Sequence, residues 1–318
     1  MIQYLLHLGA DPSEDMALIS AVSAGTEILQ QLLNVASARK PLCSKVYFNF
    51  ALQEAIRSSD ISAATLLILA GAEPNKICRQ SLRYQPYENF RCGISCFGIA
   101  VESDETPHSE MTKLLLDAGA DPNAVVKYKP KMTALMMAIS SQNLSVVKLL
   151  LDRGAAVNGG VNFGFTRTPL QLAAEVGNID IIQDLLNCSA DVNAAPHDRC
   201  GATALQFAAI GGHVGIAKLL LNHWAGVNAP PAKIGGRTAL EASAEHGRLD
   251  MLQFLIDSGA GLIDQGQEQY ERAVELAKEN GHMAASRLLE RSHVLCSTHV
   301  WQNNFACQDS SSSIGWTS

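Results

Sequence analysis

The chain has 318 residues, beyond the size at which one compact core usually stops growing, which leaves several domains or one elongated array of repeats. Hydrophobic residues make up 47%, charged residues 17% and aromatics 6%, a profile suited to thin helices packed closely in layers. The formal net charge of −7 excludes a general binder of phosphate backbones, which needs a basic face to release counterions.

Taken in chain order, the first residues, Met1 to Asp11, lack a basic leader segment and a small-residue cleavage site, so no signal peptide is expected. The apolar run Ile2 to Leu8 followed by Gly9-Ala10-Asp11-Pro12 reads instead as the second helix of a repeat whose first helix is missing. Residues 1–14 are therefore expected to be a partial repeat, with an apolar edge that points to a piece of a longer array. No later apolar stretch, the longest being Ile61 to Ala72, approaches the roughly 20 residues that span a bilayer, so no membrane partner is expected.

From Leu18 onward one pattern recurs, an apolar residue followed three positions later by a small one. The pairs are Leu18/Ala21, Leu52/Ala55, Phe97/Ala100, Leu135/Ala138, Leu170/Ala173, Leu205/Ala208, Leu240/Ser243 and Val274/Ala277. The leading residues are separated by 34, 45, 38, 35, 35, 35 and 34 positions. Seven residues after the lead stands Gly25, Gly177, Gly212, Gly247 or Gly281, with Ser59 and Gln142 in the same place elsewhere, which predicts a bend ending a first helix. A second apolar run follows at helical spacing, as in Val146, Val147, Leu149 and Leu150, and closes on Gly71, Gly119, Gly154 or Gly259, so the unit is helix, tight turn, helix and loop. Ser189 and Trp224 occupy that closing position in two units. Their side chains oppose left-handed backbone, and distorted turns are expected there.

One interval is long. From Asn75 to the next lead, Phe97, the chain runs 22 residues, against 12 from Asn123 to Leu135 or from Asn193 to Leu205. The inserted loop, residues 76–91, carries Lys76, Arg79, Arg83 and Arg91 against Glu88, with Tyr84, Tyr87 and Phe90 interleaved. Loops of that length in a compact array are usually functional or disordered, and Arg and Tyr are favoured interface anchors, so a partner contact and a mobile excursion both remain open at this point. At the other end Tyr270 to Glu290 has an enriched charge pattern that suits a C-terminal capping repeat. Residues 291–318 lose the period and end in serines, so a disordered tail is expected, with Trp301, Phe305 and Trp316 as its aromatic residues.

The segments Thr133 to Ala138, Thr168 to Ala173, Thr203 to Ala208 and Thr238 to Ser243, together with Ala120-Asp121-Pro122-Asn123 and Ala190-Asp191-Val192-Asn193, resemble the ankyrin family, whose repeat carries T-P-L-H-x-A at a period of about 33 residues. The array is similar to those of fungal multi-domain proteins. The family's His is replaced by Met136, Gln171, Gln206 and Glu241, so hydrogen bonding between repeats by an imidazole is expected to be absent or altered. The resemblance implies an all-α ankyrin-repeat solenoid of stacked helix-turn-helix units over residues 1–290. It also implies a non-catalytic scaffold or adaptor that binds a protein through its concave face. The alternative reading is the ankyrin portion of a larger regulatory protein whose activity lies in an upstream domain. Transferring the family's variable positions to this chain gives Lys129, Met132, Phe165, Arg167, Glu175, Val176, Arg199, Ile210, Arg237, Glu245 and His246 as binding candidates beside Arg79, Arg83, Tyr84, Tyr87 and Phe90 of the insertion.

Catalytic and cofactor chemistry finds no support. No G-x-S-x-G elbow, Walker A loop or H-E-x-x-H motif is present, so no enzyme activity, small-molecule substrate or cofactor is expected. Cys78, Cys92 and Cys96 lie near the insertion, but no Cys-x2-Cys pair exists and no metal site is expected. These thiols, with Cys43, Cys188, Cys200, Cys296 and Cys307, are too scattered for a disulfide framework, which suggests an intracellular protein, cytoplasmic or nuclear. His213 and His282 follow turn glycines and are read as parts of those turns.

Overall fold

The computed structural model describes residues 15–38, 45–77, 94–102, 106–128, 131–159, 166–261 and 266–292. The partial repeat expected at residues 1–14 and the tail from residue 293 onward lie outside the described residues. Contacts divide the chain into two compact units, Met1–Pro169 and Leu170–Ser318. In the first, helices pair as α1 (Asp15–Ala24) with α2 (Thr26–Ala38), α3 (Lys45–Arg57) with α4 (Ile61–Leu69), and α5 (Cys96–Glu102) with α6 (Thr106–Asp117). A two-stranded hairpin, β1 (Val125–Tyr128) and β2 (Lys131–Thr133), then leads into α7 (Ala134–Ser140) and α8 (Leu144–Asp152). In the second unit come α9 (Pro169–Val176) with α10 (Ile179–Asn187), α11 (Ala204–Gly211) with α12 (Val214–Asn222), and α13 (Ala239–Glu245) with α14 (Leu249–Asp257). The last pair is α15 (Gly266–Glu279) with α16, residues 283–292.

The period sets the packing. In the first unit α1, α3, α5 and α7 pack in a row backed by a row of second helices; in the second unit α11, α13 and α15 do the same. The small residues of the recurring pairs, from Ala21 to Ala277, are all 2% exposed or less, because a larger side chain there would hold neighbouring first helices apart. The leading residues Leu18 through Leu240 are equally buried, whereas Val274 in the last described pair is half-buried. Ser243 is tolerated in this dry layer because its Oγ donates to the Ala239 carbonyl of its own helix at 2.8 Å.

Helix starts follow from side chains that accept from free N–H groups. Thr133, Thr203 and Thr238 cap α7, α11 and α13, while Asp60, Asn143 and Asn178 cap the second helices α4, α8 and α10. The bends and stops are left-handed at every glycine position named above and also at Ser59, Gln142, Ser189 and Trp224, with φ between 55° and 66°. The expected distortion at Ser189 and Trp224 does not occur. Trp224 N–H donates to Leu221 and Ala225 N–H to Leu220, the same pattern as Gly259 to Ile256 and Ala260 to Leu255. Neighbouring repeats fix the turn, and the non-glycine residue bears the strain. Trp224 is 87% exposed, so packing of its own side chain contributes little against that strain. Trp224→Gly is expected to stabilise the protein by up to about 1 kcal/mol, less than the left-handed penalty because glycine also frees the unfolded chain. Comparative thermal melts check this, and clear destabilisation would contradict it.

At the far end of the second unit, Lys278 Nζ lies 2.9 Å from Glu290 Oε1 and joins α15 to α16. The Lys278 ammonium holds the Glu290 carboxyl below its usual range, outweighing slight desolvation, with Ser286 and Arg287 adding to the effect. A carboxyl lowered on folding contributes stability above its unfolded value and loses it as pH falls through the folded one. Glu290→Gln is therefore expected to flatten the acid side of the stability profile slightly. The pair is exposed, so high salt should abolish the difference between variant and parent.

Candidate functional site

Loop asparagines staple successive repeats. Asn123 Oδ1 accepts from Ala156 N–H at 2.7 Å while its Nδ2 donates to the Gly154 carbonyl at 3.3 Å. Asn193 does the same to Gly226 and Trp224, and Asn228 to Gly261 and Gly259. Across the long insertion Asn75 still accepts from Asp121 N–H at 3.2 Å. The insertion thus leaves the stacking of its flanking repeats intact. Its base is closed by a bridge between Ile77 and Ser95, and Ile94 bridges in turn to Lys127 of β1.

A second staple uses the positions where the family's His is replaced. Gln171 Nε2 donates to the carbonyls of Ala194 and Ala195 at 2.9 and 3.1 Å. Gln206 Nε2 donates to Ala229 and Pro230 at 3.0 and 3.1 Å, while its Oε1 accepts from Thr203 N–H at 2.9 Å. The inter-repeat bond is altered rather than lost. The Glu241 side chain has no N–H to give to the next loop, and its buried carboxylate is met by Arg272 Nε at 3.5 Å and by Thr238 N–H at 2.9 Å. Gln53 stands in the same register below the insertion, and both its carboxamide atoms are buried without a hydrogen-bond partner among the described residues.

The turn imidazoles act sterically. A Cβ on Gly177 would stand 2.6 Å from His213 Nε2, and one on Gly247 2.6 Å from His282 Nδ1. Arg248 takes the equivalent place, its stem over Gly212 and its Nε donating to the Ile210 carbonyl at 3.2 Å. These groups are packed against the turn glycines of the neighbouring repeat.

Of the binding candidates, Arg79, Arg83, Tyr84, Tyr87, Phe90, Lys129 and Phe165 lie outside the described residues. Met132 sits in β2 and Arg167 just before α9, both part-buried. Glu175, Val176 and Ile210 stand in the last turns of α9 and α11. Arg237 and Glu245 come together across α13: Arg237 Nε donates to Glu245 Oε2 at 2.8 Å and Nη2 to Oε1 at 3.4 Å. Each partner is about one-quarter exposed, and the pair neutralises itself. His246 Nδ1 lies 3.0 Å from the Ala242 carbonyl of its own helix. Arg199 is exposed at a loop tip.

That tip forms a surface not evident from residue types. Ile234 N–H donates to the Asp198 carbonyl at 3.0 Å, and Cys200 N–H to the Ile234 carbonyl at 2.8 Å. Arg199 and Ile234 therefore form a parallel bridge between successive loops. Ile234 is 56% exposed, and Lys233 Nζ pairs with Asp198 at 3.0 Å. Cys200 has φ 50°, and the signal for it was in the sequence, because Gly235 stands 35 positions later. Among the described residues no group of three or more His, Cys, Asp or Glu side chains is placed to hold a metal ion, and no helix is long and apolar enough to cross a membrane.

A family model described as "Ankyrin repeats (3 copies)" matches residues 97–196 and 193–266, over half of the chain. Among solved structures, the human ASB11 ankyrin repeat domain superposes with a TM-score of 0.56 at 23% identity, covering 75% of this chain and 96% of that one. The ankyrin repeat domain of Bcl-3, titled a unique member of the IkappaB protein family, gives 0.58 at 24% identity, with 74% and 96% covered. At these identities the likeness shows the fold alone, and no curated protein sequence matches the chain. The repeat period, the asparagine staples and the family match converge: the chain belongs to the ankyrin-repeat family, whose domains are in general protein-interaction modules and typically non-catalytic.

Proposed function

We propose that this protein is a non-catalytic scaffold or adaptor that holds a protein partner against its first-helix face and loop tips, with the insertion at residues 76–91 as a second contact. The observation that carries the reading is the bridged pair of tips at Arg199 and Ile234. They are exposed, yet fixed by backbone hydrogen bonds at 2.8 and 3.0 Å. An exposed isoleucine beside an arginine on a preorganised backbone suits an interface anchor, because little ordering entropy remains to be lost on binding. Arg237, Glu245 and His246 are assigned to the rim of the same face, and Lys129, Phe165 and Arg167 are assigned as further contacts carried by the first unit. Arg79, Arg83, Tyr84, Tyr87 and Phe90 are assigned to the insertion. The scattered cysteines favour an intracellular setting for this activity.

Affinity capture with mass spectrometry on the full chain tests the proposal. Arg199→Glu combined with Ile234→Glu changes two exposed side chains and is expected to leave the melting temperature within a few degrees of the parent while removing the specific partner. Replacing residues 76–91 with a loop as short as that between Asn123 and Leu135 should leave folding nearly intact, since loop length alters closure entropy by only about 0.6 kcal/mol per doubling. It should weaken capture. Unchanged capture by both folded variants would overturn the assignment of this face.

A further inference from the structure

The largest exposed aromatic side chain among the described residues stands away from the loop tips. Trp224 closes α12 with its indole 87% exposed and its backbone at φ 66°. Its carbonyl accepts from Asn193 Nδ2 at 2.9 Å, but that staple uses main-chain atoms alone, and the equivalent turn at Gly259 makes the same hydrogen bonds without a side chain. Folding therefore gains nothing from the indole and bears the strain of placing it. Backbone strain that the surrounding structure over-determines concentrates at functional positions.

The surroundings say which occupant suits it. Helices α10, α12 and α14 lie side by side in the second unit, and none has a basic residue in its last turn. Each helix end carries about half a negative charge from its aligned peptide dipoles, which no lysine or arginine of the last turn offsets, the exposed His223 being the residue that follows α12. Asp257 occupies the last position of α14 and Asp191 follows the end of α10, both exposed. Lys218 is the one basic residue of α12 and sits a full turn inside it. Acidic residues also outnumber basic ones over residues 170–292. An indole face amid net negative potential attracts a cation, and a planar guanidinium stacks on it better than an ammonium.

We propose that Trp224 anchors a docking surface for a basic segment of a partner protein, an arginine side chain lying over the indole while the ends of α10, α12 and α14 and Asp257 supply the opposing charge. This surface is separate from the loop tips and does not depend on their role.

The test uses the full chain and an acetylated, amidated hexa-arginine peptide, with hexalysine and hexaglutamate as comparators. Fluorescence anisotropy of the labelled peptide reads affinity at about 150 mM salt, and the indole N–H resonance of Trp224, assigned by its loss in Trp224→Gly, reads location. Hexa-arginine is expected to shift that resonance saturably, hexalysine more weakly and hexaglutamate not at all. Trp224→Gly should weaken hexa-arginine binding about two- to fivefold, the size of one exposed cation–π contact, while raising the melting temperature. The opposite signs separate lost binding from lost folding. Trp224→Phe should retain part of the affinity, and Asp257→Asn should reduce the salt dependence. Equal affinity in Trp224→Gly and the parent, or a Trp224 resonance that hexa-arginine leaves in place, would overturn the proposal and leave only diffuse charge attraction.

Discussion

Leu170→Ala is expected to lower stability by about 2–5 kcal/mol, the range for a buried large-to-small change in a core that cannot close around the gap. Leu170 is 1% exposed, and its helix α9 also presents Ala173 and Ala174, both fully buried. Those methyl groups have no reach with which to fill the space. The site therefore belongs near the middle or upper part of the range rather than at its floor. Urea unfolding followed by circular dichroism checks the value against Leu69→Ala. Leu69 is 79% exposed, so its truncation should cost no more than about half a kcal/mol. A loss at Leu170 as small as that at Leu69 would show that the register running from Leu18 to Leu240 does not define the buried layer.

That register is also the measure of what the sequence disclosed. Helix, turn, helix and loop were legible because each unit must bury the same stripe against its neighbours, so apolar spacing, turn glycines and loop asparagines recur together. Departures in single residues were legible as positions but not as consequences. Ser189 and Trp224 stood out as non-glycine residues where Gly154 and Gly259 stand elsewhere, yet the turns keep glycine geometry. The hydrogen bonds of the surrounding repeats outweigh a local penalty of about 1–2 kcal/mol. The replacement of His by Gln suggested a lost or altered bond, and only coordinates show a carboxamide reaching two carbonyls more than twenty residues away. The candidate site was less legible still. The family resemblance offered Arg237, Glu245 and Arg199 as binding candidates, but pairing of the first two and bridging of the third to Ile234 depend on side-chain rotamers and loop backbone. No periodicity encodes those features.

Gln206→Ala is expected to cost about 2–3 kcal/mol. Three hydrogen bonds are lost, each worth about 1 kcal/mol net, and the Thr203 N–H at the start of α11 is left buried without its acceptor. The carbonyls of Ala229 and Pro230 lie nearer the surface, the proline itself exposed, so water recovers part of their loss and the total stays below the simple sum with packing included. Gln206→Glu is the sharper experiment. It preserves the acceptor for Thr203 but turns a carboxylate oxygen toward two carbonyls, and Arg237, which follows Gln206 by the same 31 positions that separate Arg272 from Glu241, is already held by Glu245. The variant should be at least as unstable as Gln206→Ala at neutral pH. A carboxyl so placed has its pKa raised on folding, because only the protonated form donates to the carbonyls. Its penalty is therefore present above the folded pKa and relieved as pH falls through it. Unfolding measured at intervals from pH 7 to about pH 5 should show Gln206→Glu gaining on the parent, whereas Gln206→Ala keeps a constant deficit. Parallel profiles for all three proteins would mean that the carboxamide does not carry the bond between these repeats.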